Sequence, residues 1–178
     1  DFRSPGGGET SISVTLNQNG MVAIQTAFLE QGTWTYTSLR QIVAEELGLR
    51  PDEIEIQVLD TDSSPFDSGI GGSRGTRIAS RAACDAARAV KDELFGLAEK
   101  LLGWAKDEIE LKGKNLVRKN TKQRQRWDVL LCRVGRSITR RAINRDEGHA
   151  PVTSFTTQIA EGAVDPETGQ VTIRRFTS

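Results

Sequence analysis

The sequence predicts an α+β fold: mixed β-sheets with packed helices, opening with a strand-strand-helix-strand unit and continuing into a long helix and further hairpins. Three observations carry this. Apolar residues alternate with polar ones in several short runs, the period of a half-buried strand. Helical spacing appears in one run of medium length and in one very long run. The connections between runs are short and built from Gly, Asn, Asp and Pro, which punctuate secondary structure.

Ile12, Val14 and Leu16 form the first alternating run. Asn19-Gly20 follows, a hairpin signal because both positions tolerate positive φ, and Val22, Ile24, Thr26 and Phe28 continue as a second strand. From about Thr35 to Leu47, residues Leu39, Ile42, Val43 and Leu47 fall on one helical face, and Gly48 stands where a helix stops. Pro51 and Asp52 turn the chain into a third strand marked by Ile54, Ile56 and Val58. This order, with its short connections, suits one sheet with a helix on its face.

The long helix is expected from about Thr76 to Leu102, with Ala79, Ala83, Ala86, Val90, Leu94, Leu97 and Leu101 at helical spacing and Gly103-Trp104 at its end. Its alanines let a neighbouring backbone pack closely. Ile109, Leu111, Leu116 and Val117 suggest a small hairpin closed by residues 112–115. Residues 119–127 read as a polar loop, and Trp127, Leu130, Leu131 and Val134 as a short helix ending near Gly135. Two last strands are expected at Phe155–Val164 and Gln170–Phe176, around the turn formers Asp165, Pro166, Glu167, Thr168 and Gly169. A chain of 178 residues holds one domain or two small subdomains, for which 1–75 and 76–178 are the natural halves.

Composition narrows the function classes. The formal net charge is zero, so bulk charge makes no case for a nucleic-acid or membrane partner. No apolar run is long enough to cross a bilayer, and the first residues do not read as a signal peptide. Cys84 and Cys132 lack metal-ligand spacing and read as reduced core residues of a cytoplasmic protein. His149, the only histidine, lies in a polar stretch and reads as a solvated loop residue. Asp60, Asp62 and Asp67 lie close together, but the full Ca²⁺-loop pattern is missing. Residues Lys112 to Arg145 are strongly basic, with Asp128 as the single acid and Trp127 as the single aromatic. Nucleic-acid binding is one reading of this run; a solvated face, or one docked on an acidic neighbour, is the favoured one.

Two connections carry candidate chemistry. Ser64 to Thr76 joins the third strand to the long helix, with Gly69, Gly71, Gly72 and Gly75 around Ser73 and Arg74. Backbone N–H groups in such a loop approach a ligand closely, and the following helix presents its unpaired N–H groups there. Glu30 to Thr35 joins the second strand to the first helix. In it Gln31 offers an amide that donates and accepts, Gly32 permits a turn, and Thr33 or Thr35 is expected to cap the helix. No catalytic triad, zinc pattern, P-loop or dinucleotide fingerprint accompanies them.

In order, EQGTWT, QIVAEELGLRPDEIEIQVLDTDSSPFDSGIGGSRGT, the alanine-rich helix and TTQIAEGAVDPETGQVTIRRF resemble the molybdenum-cofactor-binding region of the large subunit of xanthine dehydrogenase and aldehyde oxidase family enzymes. The resemblance spans nearly the whole chain. It implies that Gln31 and Gly32 contact the molybdopterin cofactor, and that Gly71, Gly72, Ser73, Arg74 and Gly75 form a second cofactor loop. It places no protein side chain on the metal, which the pterin dithiolene holds. The chain departs from the family pattern at three positions: Ile70 replaces a Thr, Gly75 replaces a Ser, and Glu30 replaces a Gly.

The resemblance further implies a larger oxidoreductase that hydroxylates N-heterocycles or aldehydes with water as oxygen source. Iron–sulfur clusters and often FAD are expected on partner domains or subunits, with the whole enzyme a dimer. The family's catalytic glutamate and its substrate-side glycine loop are not visible here, so the chain reads as a fragment that is inactive alone. The alternative is a non-catalytic binding or assembly module of the same architecture, suggested by Ile70 and Gly75.

Overall fold

The computed structural model describes residues 8–27, 29–58, 60, 62–64, 67, 69–70, 74–145 and 156–178. Contacts divide the chain into two compact units, Asp1–Glu147 and Gly148–Ser178.

The first unit is built on a four-stranded sheet. β1 (Glu9–Leu16) pairs antiparallel with β2 (Val22–Thr26) through the expected turn, closed by the Gly20 N–H donating to the Asn17 carbonyl at 2.9 Å. Phe28 lies outside the described residues. β2 leads to helix α1 (Thr35–Leu47), and the chain returns through a 3-10 turn (Pro51–Glu53) as β3 (Ile54–Val58), parallel to β2. Helix α2 (Arg74–Leu102) then runs for 29 residues, starting two residues before the expected position. It lies against α1 and β1.

Buried side chains show why these segments fold together. Ile12, Val14, Leu16, Val22, Ile24 and Ile54 from the sheet join Leu39, Val43 and Leu47 of α1 and Ala79, Ala82, Ala83, Ala86, Ala87, Val90 and Leu94 of α2 in one core. The alanines are fully or almost fully buried, which keeps α2 close to its neighbours. Glu46 of α1, largely buried, receives Arg88 at 2.7 Å and Lys91 at 3.0 Å from α2. Burial pushes this carboxyl up, but the hydrogen bonds from Lys91 and Arg88 outweigh it and hold it below the usual range.

Two further strands were not anticipated. The expected polar loop at 119–127 contains β6 (Arg124–Arg126), which extends the hairpin of β4 (Ile109–Lys112) and β5 (Asn115–Arg118) into a three-stranded sheet. After helix α3 (Trp127–Val134), whose bounds match the expectation, β7 (Ile138–Arg145) pairs with all of β1 and completes the main sheet in the order β3-β2-β1-β7. Cys132 is exposed on α3 and not a core residue, because Trp127, Leu130 and Leu131 form the buried face of that helix. Cys84 is half-buried, and both thiols are free.

The second unit contains a hairpin of β8 (Ile159–Val164) and β9 (Val171–Thr177) around the expected turn, where Asp165 accepts the Glu167 N–H at 2.9 Å and the Thr168 hydroxyl at 2.7 Å. β8 starts at Ile159; Phe155 lies outside the described residues.

Candidate functional site

The parallel pairing of β2 and β3 decides where the two glycine-bearing loops leave the sheet. Their register runs from Val22↔Ile54 to Thr26↔Val58, so both strands end side by side. Each then feeds the N-terminus of a helix, β2 into α1 and β3 into α2. Loops beyond the carboxyl ends of neighbouring parallel strands, with helix N-termini behind them, form the crevice in which open α/β sheets bind ligands.

The first loop is organised by Glu30. Its Oε1 accepts the backbone N–H of Gln31 at 3.1 Å and of Thr33 at 2.8 Å, and its Oε2 accepts the N–H of Tyr36 at 2.9 Å. The bond from Tyr36, followed by those from Thr33 and Gln31, holds the carboxyl below its usual range despite some opposing desolvation. The helix cap therefore differs from expectation. Trp34, at φ 59°, is the N-cap residue and its side chain makes no cap bond. The Glu30 carboxylate takes one of the first-turn N–H groups from outside the helix, while Thr33 and Thr35 bond each other through their hydroxyls at 2.9 Å.

With its backbone tied in this way, the loop presents Gln31, Gly32 and Trp34 to solvent. Gly32 has φ 80°, and a Cβ there would meet nothing within 4 Å. The loop is thus shaped by its own hydrogen bonds, with an amide at its surface.

In the second loop the aspartates make turns. Asp60 Oδ1 accepts from the N–H of Asp62 at 3.1 Å, the N–H of Ser63 at 2.8 Å and the Ser63 hydroxyl at 2.6 Å. Asp67 Oδ1 accepts the Gly69 N–H at 2.8 Å. Among the described residues no group of three or more His, Cys, Asp or Glu side chains is placed to hold a metal ion. Asp67 Oδ2 is buried and has no hydrogen-bond partner. Gly71, Gly72 and Ser73 lie outside the described residues, as does His149. Arg74 opens α2 and Gly75 follows it in the first turn. The space a Cβ would take at Gly75 faces Ile70 Cγ2, 3.1 Å away. What Gly75 can offer a ligand is therefore its backbone.

Both the sequence and the fold have known relatives. Residues 2–178 match the family described as "Molybdopterin cofactor-binding domain". The gamma subunit of the 6-hydroxypseudooxynicotine dehydrogenase complex of Paenarthrobacter nicotinovorans is 31% identical over 175 residues, covering 93% of this chain and 22% of the relative. The carbon monoxide dehydrogenase large chain of Afipia carboxidovorans is 32% identical over 110 residues, 58% of this chain and 14% of the relative. Among solved structures, quinoline 2-oxidoreductase from Pseudomonas putida 86 superposes with a TM-score of 0.73 at 19% identity, covering 95% of this chain and 23% of that one. The chain thus spans less than a quarter of the length of each of these relatives.

Proposed function

The chain belongs to the molybdopterin cofactor-binding domain family, and from that premise we propose that its two loops at the β2–β3 end of the sheet hold the pterin in a larger molybdenum hydroxylase. Gln31 and Gly32 form one side of the clamp. Gly71, Gly72, Ser73, Arg74 and Gly75 form the other. The observation that carries this reading is the parallel register Thr26↔Val58, which starts both loops from the same end of the sheet.

The residues present suit such a group. A pterin offers N–H donors and carbonyl-type acceptors along its edges and a phosphate on its side arm. Gln31 can meet a donor and an acceptor at once. The buried Asp67 Oδ2 has lone pairs and no donor, which an N–H edge would supply. The first turn of α2 offers N–H groups to an anion.

When bound, the molybdenum cofactor supplies the two-electron redox centre of the enzyme. This chain's own part is to bind and orient it. The whole protein is proposed to hydroxylate an N-heterocycle or an aldehyde with water, and the electrons to leave through iron–sulfur and flavin groups on partner subunits. Quinoline 2-oxidoreductase, a structural neighbour, is named for an N-heterocycle, and the P. nicotinovorans relative is named as one subunit of a complex. We place the assembly in the cytoplasm as a dimer.

Pterin and molybdenum content of the full-length protein, purified with its partner subunits after cofactor supply, tests the reading. The wild type should contain both. Gln31→Ala removes one neutral hydrogen-bonding side chain and should weaken retention about two- to tenfold. A wild type free of pterin, or a Gln31→Ala protein that retains it fully, would sink the assignment.

A further inference from the structure

The first unit holds a cavity of about 480 Å³ between the C-terminal half of α2, the turn before β4 and the start of β7. That volume is in the range of small-molecule sites. Gly96, in its wall, follows Arg74 at the start of α2 by 22 positions, about 33 Å at 1.5 Å per residue, so the cavity is far from the loop that feeds α2. Glycine is a poor helix residue, and here its bare face has a use. A Cβ at Gly96 would stand 3.3 Å from Lys106 Cε. The Lys106 side chain lies there and its Nζ donates to Asp92 Oδ1 at 2.7 Å, one turn back along α2. On another wall the largely buried Glu93 carboxylate pairs with Arg136 at 3.1 Å and with Arg140 at 2.5 Å.

These pairs do not balance the cavity. Lys106 cancels Asp92, but one carboxylate of Glu93 meets two guanidiniums. Lys100, which also lines the cavity, has no carboxylate partner among the described residues. Positive charge is thus in excess at two points. Glu93 and Lys100, which mark them on α2, are seven residues apart, about 10 Å along the axis. Leu97 lies between them, and Ala89 adds to the apolar lining. A guanidinium carries five N–H donors, so Arg136 and Arg140 keep donors for a second anion after pairing with Glu93. We propose that this cavity binds a small dicarboxylate. One carboxylate sits beside Arg136 and Arg140, the other at Lys100, and the methylene chain lies over Leu97 and Ala89. Walls of one net sign focus the field on such an anion, and the apolar lining selects for its carbon chain. The site uses none of the residues assigned to the cofactor and does not depend on that reading.

Equilibrium dialysis of the full-length protein with its partner subunits, at low ionic strength, tests the site with three labelled probes: glutarate, pentanoate and inorganic phosphate. Pentanoate has the same carbon chain with one carboxylate, and phosphate has the charge without the chain. Glutarate should bind about tenfold more tightly than either. Lys100→Gln, which removes an exposed and unpaired charge, should weaken glutarate about fivefold. Ala89→Leu, which fills the cavity and leaves its charges in place, should abolish that binding. Arg133→Gln removes an exposed cation of α3 that does not line the cavity, and should change nothing. Should Ala89→Leu yield no soluble protein, the contrast between Lys100→Gln and Arg133→Gln decides alone. No uptake of glutarate up to about 10 mM overturns the proposal. So does phosphate held as tightly as glutarate, glutarate binding that Lys100→Gln leaves unchanged, or an Arg133→Gln protein as impaired as Lys100→Gln.

Discussion

Glu30 illustrates how one carboxylate can shape a whole loop. Its carboxylate collects N–H groups from Gln31, Thr33 and Tyr36, so it fixes the turn that carries the Gln31 amide and supplies the cap that Trp34 does not. Because these bonds favour the ionised form, the folded-state pKa is lowered, and the contribution to loop order is present above the usual carboxylate range and lost as pH falls through the lowered value. Hydrogen exchange of the 31–36 backbone in the full-length protein checks this. At neutral pH, Glu30→Gln should exchange faster than wild type after correction for intrinsic rates, and the gap should close as the wild-type carboxylate is protonated. Equal protection at neutral pH would rule the role out. The sequence marked Glu30 as a departure from a glycine, and Gln31 as a ligand-facing amide, but not what Glu30 binds. Its farthest partner is six residues on, and the expected threonine caps failed because Trp34 holds the N-cap position.

At the scale of elements, the C-terminus of α1 shows how a helix stop also sets packing. Gly48 ends the helix at φ 64°, and its carbonyl accepts the Gly113 N–H of the β4–β5 hairpin at 2.8 Å. A Cβ there would lie 2.9 Å from the Leu111 carbonyl oxygen, a backbone atom that cannot swing aside. Gly48→Ala should therefore combine conformational strain with a clash and cost about 1–3 kcal/mol in urea unfolding. Gly103→Ala is the control, since φ is 68° but nothing lies within 4 Å, and it should cost clearly less. Equal costs would show that the contact with Leu111 is immaterial.

The same scale explains what the sequence made legible. α1 and α3 keep an apolar face and a glycine stop, so their bounds are readable. β7 is not, because its core-facing period is interrupted by Arg140, opposite Val14. That arginine is tolerated through an ion pair with Glu93 of α2, 2.5 Å away, and no local pattern announces a partner so distant in sequence. β6 is three polar residues that become a strand only by pairing with β5.

For the whole molecule, the basic run from Lys112 to Arg145 tests whether charge is a surface signal or an internal balance. Arg118 pairs with Glu108 at 2.9 Å, Arg126 with Asp128 at 2.6 Å, Arg136 and Arg140 with Glu93, and Arg145 with Glu9 at 2.7 Å. Asp128 lies within the stretch itself, whereas Glu9, Glu93 and Glu108 come from β1, α2 and the turn before β4, so folding draws acids from along the first unit onto it. Lys112 is matched within its own strand by Glu110 at 2.6 Å. Nucleic-acid affinity depends on cations that can replace condensed counterions on phosphates, and a guanidinium already held by a carboxylate must first give up that partner. Exposed pairs of this kind are individually weak, so the expectation rests on their number and on the zero formal net charge of the chain. A filter-binding titration of the full-length protein with DNA or RNA at low salt should show no retention. Salt-sensitive retention that falls when Arg136 and Arg140 are replaced by Gln would show instead that the pairs open for phosphate, and would make this stretch a binding site in its own right.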